Sequence, residues 1–400
     1  MSVVEYLRAR TRLWGAAGLW AGILLIAFDI YAAVVTYIPQ FQVRNDFRLI
    51  YGAALTALRH GYSHLYDLSA QKATVEGLGS GFYWSPFLNP PPLVWLATPL
   101  TLLPFNIAIV FWTALLLAAA VLTWYLVAPG GRLTRAAHLA LWLGLFPVAF
   151  GLLVGQPVAL VAAAVATSWW LAEKNRPVLA GLALSVIAIK PQVALLVPLC
   201  LLVSGHARIF GTWLVATGLM VLVALAALGP DGLHRYVDVL SLASQWEPTR
   251  RYAVAGPLGL GPQISVVQGL VAVAAAWVAW RHRHGSVGVP IAAGITASLL
   301  FTPYVGFQDF AMLVVAGWLV LRAQPSRLQL GLLVIGYGLL ELALLVLAVP
   351  ILLAEAALLI SLALPAAQPP RDLRGVHGVV GGHVPDEAGD GNLADRGQRA

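Results

Sequence analysis

Four short segments of this chain carry side chains suited to chemistry, and they are far apart in sequence. The first reads Asn45-Asp46-Phe47-Arg48, followed by Tyr51 to Leu58 as an amphipathic helix, then His64-Leu65-Tyr66-Asp67 and Phe82-Tyr83-Trp84-Ser85-Pro86. An acid beside a membrane surface can take a proton from an incoming hydroxyl, because partial desolvation raises its basicity. The plain alternative is that Asp46 caps the helix after it. The second is Gly155-Gln156-Pro157, whose amide can bind a hydroxyl or satisfy a turn. The third is Lys190-Pro191-Gln192 within an apolar run. A cation there is costly unless it meets an anion or an interface, and Pro191 breaks the helix beside it; the alternative is a lysine at a loop between short helices. The fourth, Thr302-Pro303-Tyr304 through Asp309, offers another carboxylate that orients substrate, pairs with a cation or caps a helix.

Arg235, Arg250 and Arg251 form a separate basic group. A guanidinium matches phosphate oxygens in bidentate fashion, so these arginines suit a donor phosphate or a lipid headgroup equally. Arg48, Tyr51, Gln156, Gln192, Tyr304 and Asp309 are the candidate substrate-binding residues, and Lys190, Arg250 and Arg251 the candidate phosphate-binding ones. No His-Glu-x-x-His, Gly-x-x-x-x-Gly-Lys or Asp-x-Asp occurs, so no metal or other cofactor is expected.

The elements that must hold these residues are membrane helices. Of 400 residues 60% are hydrophobic and 10% charged, against about a quarter charged in a soluble domain. In hydrocarbon the backbone must satisfy itself, so continuous apolar runs of about 20 residues read as spanning helices and not as a barrel. The net charge of +7 lies in short loops, which argues for membrane orientation and against a nucleic-acid partner. Arg8, Arg10 and Arg12 precede an apolar stretch to Ile38 that is too long for a signal peptide and reads as a retained first span. Cys200 is the single cysteine and forms no internal disulfide.

With the clusters at Arg132/Arg135, Lys174/Arg176, His206/Arg208, Arg281–His284 and Arg322/Arg327 placed inside, the fold expected is an all-α integral membrane protein. It has twelve spans, near 14–38, 104–128, 135–154, 156–173, 177–189, 191–205, 208–229, 264–280, 287–302, 309–322, 327–348 and 350–365. The four chemical segments and the loop near 230–263 then share the outer face. The proline-rich stretch from Asn89 to Leu103 must not cross, and serves as a re-entrant or interfacial helix. Residues 1–365 form the membrane domain and 366–400 a disordered polar tail.

In order along the chain, Asn45-Asp46-Phe47, Gly61 with Leu65-Tyr66-Asp67, Asn89-Pro90-Pro91-Pro92, Gly155-Gln156, Ala180-Gly181-Leu182 with Lys190-Pro191-Gln192, and Thr302-Pro303-Tyr304 with Asp309 resemble the polyprenyl-phosphate-dependent glycosyltransferases of family 87. These belong to the GT-C architecture, and the resemblance covers about residues 40–320. It implies a mannosyltransferase-like reaction in which mannose, or another hexose or pentose, passes with inversion from a polyprenyl phosphate to a hydroxyl of a glycolipid or periplasmic glycan. Asp46 would be the general base and Lys190 would neutralise the departing phosphate. The expected setting is the plasma (inner) membrane, multi-pass, with the site on the outer face. Pro157 stands where the family usually has Asn. A twelve-span transporter or flippase of a lipid-linked glycan is the competing reading; related halves and a midplane site would mark it, and neither is evident.

Overall fold

The computed structural model describes residues 11–37, 46–79, 84–245, 247–345 and 348–364, and every regular element among them is helical. Asn45, Phe82, Tyr83, Arg8, Arg10 and the expected polar tail lie outside the described residues. The longer helices are α1 (Thr11–Ala32), α2 (Asp46–His60), α3 (Leu68–Glu76), α4 (Pro91–Ala97), α5 (Phe105–Val127), α6 (Arg132–Leu143), α7 (Phe146–Val154) and α8 (Val158–Glu173). They continue with α9 (Pro177–Ser185), α10 (Val197–Val203), α11 (Ala207–Ser244), α12 (Pro262–Arg281), α13 (Gly288–Phe301), α14 (Ala311–Arg322), α15 (Arg327–Glu341) and α16 (Ala348–Leu362).

Length and composition qualify four of these as membrane-crossing: α1, α5, α11 and α12. A fifth crossing is available if α6 and α7, bent by 59° at their junction, act as one. Among the described residues, then, four or five helices are long and apolar enough to cross, and the expected count of twelve spans is not confirmed. The apolar windows that suggested them are cut by Gly144, Gly155-Gln156-Pro157, Pro177 and Lys190-Pro191 into helices too short to cross about 30 Å. The expected outer loop near 230–263 also begins as helix. Gly229 adopts φ 62° and ψ −178°, and Pro230 restarts the helix beyond this kink, where its missing N–H costs nothing.

Helix α13 lies at the centre, buried from Gly288 through Leu300. A helix apolar on every side belongs inside a bundle. Gly294 faces Val197 of α10 so closely that a Cβ would lie 2.6 Å from the Val197 Cα. Ser298 Oγ accepts the Leu196 N–H at 2.9 Å, which ties α13 to the chain just past Lys190. Gly15, Gly18 and Gly22 of α1 form a small-residue stripe against α6, with a Cβ on Gly22 falling 2.5 Å from the Ala140 carbonyl carbon.

The two ends of the bundle differ. At one end Arg322 donates to the Val127 carbonyl at 2.6 Å, Arg135 to the Tyr125 carbonyl at 2.6 Å, and Ser286 meets Glu173. At the other, α2 and α3 pack beside the start of α5. Phe47, Ile50, Tyr51, Ala54 and Ala57 of α2 are buried at the spacing of one helix face. Phe47 stacks on Trp112 with ring centroids 5.0 Å apart. The segment from Asn89 to Leu103 forms α4 and a 3₁₀ stretch, Thr98–Leu102, and is too short to cross.

Candidate active site

Asp46 is the first residue of α2, and its position there follows from burial of the next residue, Phe47, against Trp112 and Phe105. Its Oδ2 accepts a hydrogen bond from Gln156 Nε2, across 110 residues of sequence. Asp67 makes the contrast. It caps α3, accepting the Ser69 and Ala70 N–H groups at 3.0 Å each, and its carboxyl is lowered to about 2 chiefly by the Ser69 hydroxyl bond and the Ala70 N–H.

Gln156 sits in the three-residue turn between α7 and α8. Gly155 closes α7 at φ 75°, a left-handed conformation that suits glycine, and Gln156 N–H returns to the Gly151 carbonyl at 2.9 Å. Trp112 Nε1 donates to the Gly155 carbonyl at 2.8 Å and fixes the turn from the side. Lys190 stands at another break. The 3₁₀ turn Val186–Ile189 ends there, and Pro191 starts the next turn, so Lys190 takes φ −154°, ψ 72° and leaves the helical path.

Lys190 Nζ donates to Gln156 Oε1 at 2.7 Å and lies 2.7 Å from Asp309 Oδ1. A lysine has protons to give and no lone pair, so the amide oxygen must face it. The amide nitrogen is then turned toward Asp46. Asp309 lies in the 3₁₀ turn Phe307–Phe310, where its other oxygen, Oδ2, accepts the Gly306 N–H at 3.0 Å. The result is a chain of four side chains from four distant segments: Asp46, Gln156, Lys190, Asp309. The Lys190 and Asp309 side chains are only 4% and 2% exposed, whereas Asp46 is partly accessible.

One lysine serves two carboxylates, and that decides the electrostatics. Burial holds the Asp46 carboxyl above the ordinary carboxylate range; the Gln156 hydrogen bond and the Lys190 charge pull it down, and the Asp309 charge pushes it up. A carboxyl so placed can receive a proton from a hydroxyl more readily than an exposed aspartate. Tyr304 is raised as well, by burial first and by Asp309 second.

The remaining candidates are distributed around this chain. Tyr51 donates its hydroxyl to the Leu103 carbonyl at 2.8 Å and anchors α2, and Arg48 lies 4.9 Å over the Phe105 ring. Gln192 follows Lys190 in the Pro191–Val193 turn and is half-buried. Arg250 and Arg251 line a cavity of about 500 Å³ with Glu247, Gly256 and Pro350, where Arg251 is paired with Glu247 at 2.9 Å. Tyr252 packs on Phe307 and Phe310, with centroids 5.6 and 6.0 Å away, so the arginine segment abuts the turn that carries Asp309. Trp112 was not singled out from sequence. A tryptophan in an apolar helix looks like core, and only its bond to Gly155 gives it a second task.

These features define a helical membrane protein with an acid–amide–lysine–acid relay, buried at Lys190 and Asp309, at one end of its bundle. The model of glycosyltransferase family 87 matches residues 87–303, more than half of the 400, and the chain belongs to that family and is a glycosyltransferase. The matched stretch includes Gln156, Lys190, Arg250 and Arg251; Tyr304 and Asp309 fall just past its end, and Asp46 lies well before its start. Neither the curated proteins nor the solved structures gave a match.

Proposed function

We propose that this glycosyltransferase moves a sugar, mannose or another hexose or pentose, from a polyprenyl phosphate to a hydroxyl of a glycolipid or periplasmic glycan, with inversion. Asp46 is the general base. It takes the acceptor proton as the acceptor oxygen forms its bond to the anomeric carbon and the bond from that carbon to the phosphate oxygen breaks. The polyprenyl phosphate departs with the electron pair of that bond.

The observation that carries this reading is the convergence of Asp46 with Gln156, Lys190 and Asp309. A carboxylate that only ended a helix would have no need of an amide oriented by a buried lysine. Lys190 is enclosed and already bonded on two sides, so its part is to orient Gln156 and tune Asp46. Arg250 and Arg251, beside a cavity and next to the Asp309 turn, are better suited to the phosphate. Tyr304, Gln192 and Arg48 remain candidates for substrate contact. The site faces outward from the plasma (inner) membrane, with the basic end of the bundle in the cytoplasm.

The test is sugar transfer in native membrane vesicles carrying the protein, from an added polyprenyl-phosphate mannose to the endogenous glycolipid acceptors of those membranes. Loss of transfer in Asp46→Asn at normal expression supports the assignment; wild-type transfer by that variant rejects it. Cysteine labelling checks the orientation: an impermeant thiol reagent outside should reach a cysteine replacing Asp46 and should miss one replacing Lys174.

A further inference from the structure

A second, separate cavity is built into the bundle. Helices α6, α14, α15 and α16 enclose a cavity of about 490 Å³, within the range of small-molecule pockets, and it shares no residue with the Asp46 relay. Its walls are almost wholly apolar. Val334, one of its lining residues, is 67% exposed on an apolar helix surface.

Two of the polar groups lining it lack partners among the described residues. Glu355, on α16, is 3% exposed, and neither of its carboxyl oxygens has a hydrogen bond. The Trp142 indole N–H is likewise buried and unmatched. The other polar side chains are satisfied: Trp318 Nε1 donates to His138 Nδ1 at 3.1 Å, and the Tyr337 hydroxyl donates to the Leu141 carbonyl at 2.7 Å. An unpartnered buried carboxyl is a standing cost to the fold, and intramembrane acids are rare without a task. A hydroxyl has a proton for a carboxyl and lone pairs for an indole N–H.

We propose that this cavity binds a lipid alcohol, an apolar chain whose hydroxyl meets the Glu355 carboxyl. The site does not depend on the transfer reaction. Gly336 supplies a clean way to close it, because a side chain there would meet nothing within 4 Å and would grow into the cavity from a helical position.

The experiment uses a diazirine-bearing hexadecanol with the full chain in phosphatidylcholine nanodiscs, with crosslinks mapped by peptide mass spectrometry. Labelling should fall on α15 and α16 and drop about tenfold in Glu355→Leu, the loss expected when a buried hydrogen bond to a charged or acidic group is removed, and at least as far in Gly336→Leu, which fills the space. Glu355→Gln, whose amide oxygen still accepts, should retain most of it. Octadecanol should compete, whereas octadecyl methyl ether, with no proton to donate, should not. Equal labelling of wild type and Gly336→Leu, or equal competition by the ether, overturns the proposal. Should Glu355→Leu fail to fold, Gly336→Leu and the two competitors decide the matter alone.

Discussion

Lys190 Nζ and Asp309 Oδ1 lie 2.7 Å apart with both side chains at least 96% buried, so neither charge has water to fall back on. Removing one partner of such a pair leaves an uncompensated charge. Lys190→Ala should therefore cost about 3–5 kcal/mol of stability, and Lys190→Ala with Asp309→Ala together should recover much of it. Thermal unfolding in detergent across the double-mutant cycle measures this. Additive losses would show that the pair is not coupled.

The Asp46 carboxyl sits above its ordinary range, and the sign of its pH effects follows. A base that must be ionised gives a rate that rises with pH through the folded value, so the acidic limb of kcat/KM should lie above that of a normal aspartate. Gln156 lowers the value, so Gln156→Leu should move the limb to higher pH. Stability runs the other way. A carboxyl raised in the folded state stabilises below its unfolded value and loses that contribution as pH climbs through the folded one. Asp46→Asn should then abolish transfer while leaving the melting temperature at neutral pH unchanged or higher.

Gly155 at φ 75° holds the turn that aims Gln156. Gly155→Ala should cost about 1–2 kcal/mol in stability. The larger effect is expected in rate, because a displacement of about 1 Å in a positioning group can reduce turnover about a hundredfold. Steady-state kinetics with unchanged expression tests it; full activity would mean that the turn does not set the amide.

Arg251 is held by Glu247 at the rim of a cavity, where a phosphate can replace the carboxylate. Arg251→Gln should raise KM for the polyprenyl-phosphate sugar about tenfold or more, the size of one charge-assisted bond, with little change in kcat. Unchanged KM in both Arg250→Gln and Arg251→Gln would remove the phosphate from this cavity.

Gly22 lets α1 approach α6 so closely that a Cβ would meet Ala140 backbone at 2.5 Å. Gly22→Leu should destabilise by at least the 1–3 kcal/mol typical of overpacking. Gly331→Leu, on α15 with nothing within 4 Å, is the control and should be neutral. Similar melting temperatures for the two would contradict the packing.

Much of the site could be read from residue types. Lys190 in an apolar run and Asp46 after a span stood out because ionised groups are rare in such settings, and the proline or glycine beside each break marked where helices end. Trp112 could not be read this way, and Glu355, an acid inside an expected span, was legible there without a task. A tryptophan or a glutamate within a helix has the same sequence signature whether it packs, pairs or faces a cavity.

By itself the sequence determined that this chain lives in a membrane as helices, since its apolar content leaves no other way to satisfy the backbone. It also determined which polar residues would be costly there and so worth watching. Only the tertiary structure decided how many helices are long enough to cross, because local breaks cut apolar runs that hydropathy alone joins together. It alone decided which cation meets which acid, because that pairing is made across 110 residues or more by helices packing side by side, and no local spacing encodes it.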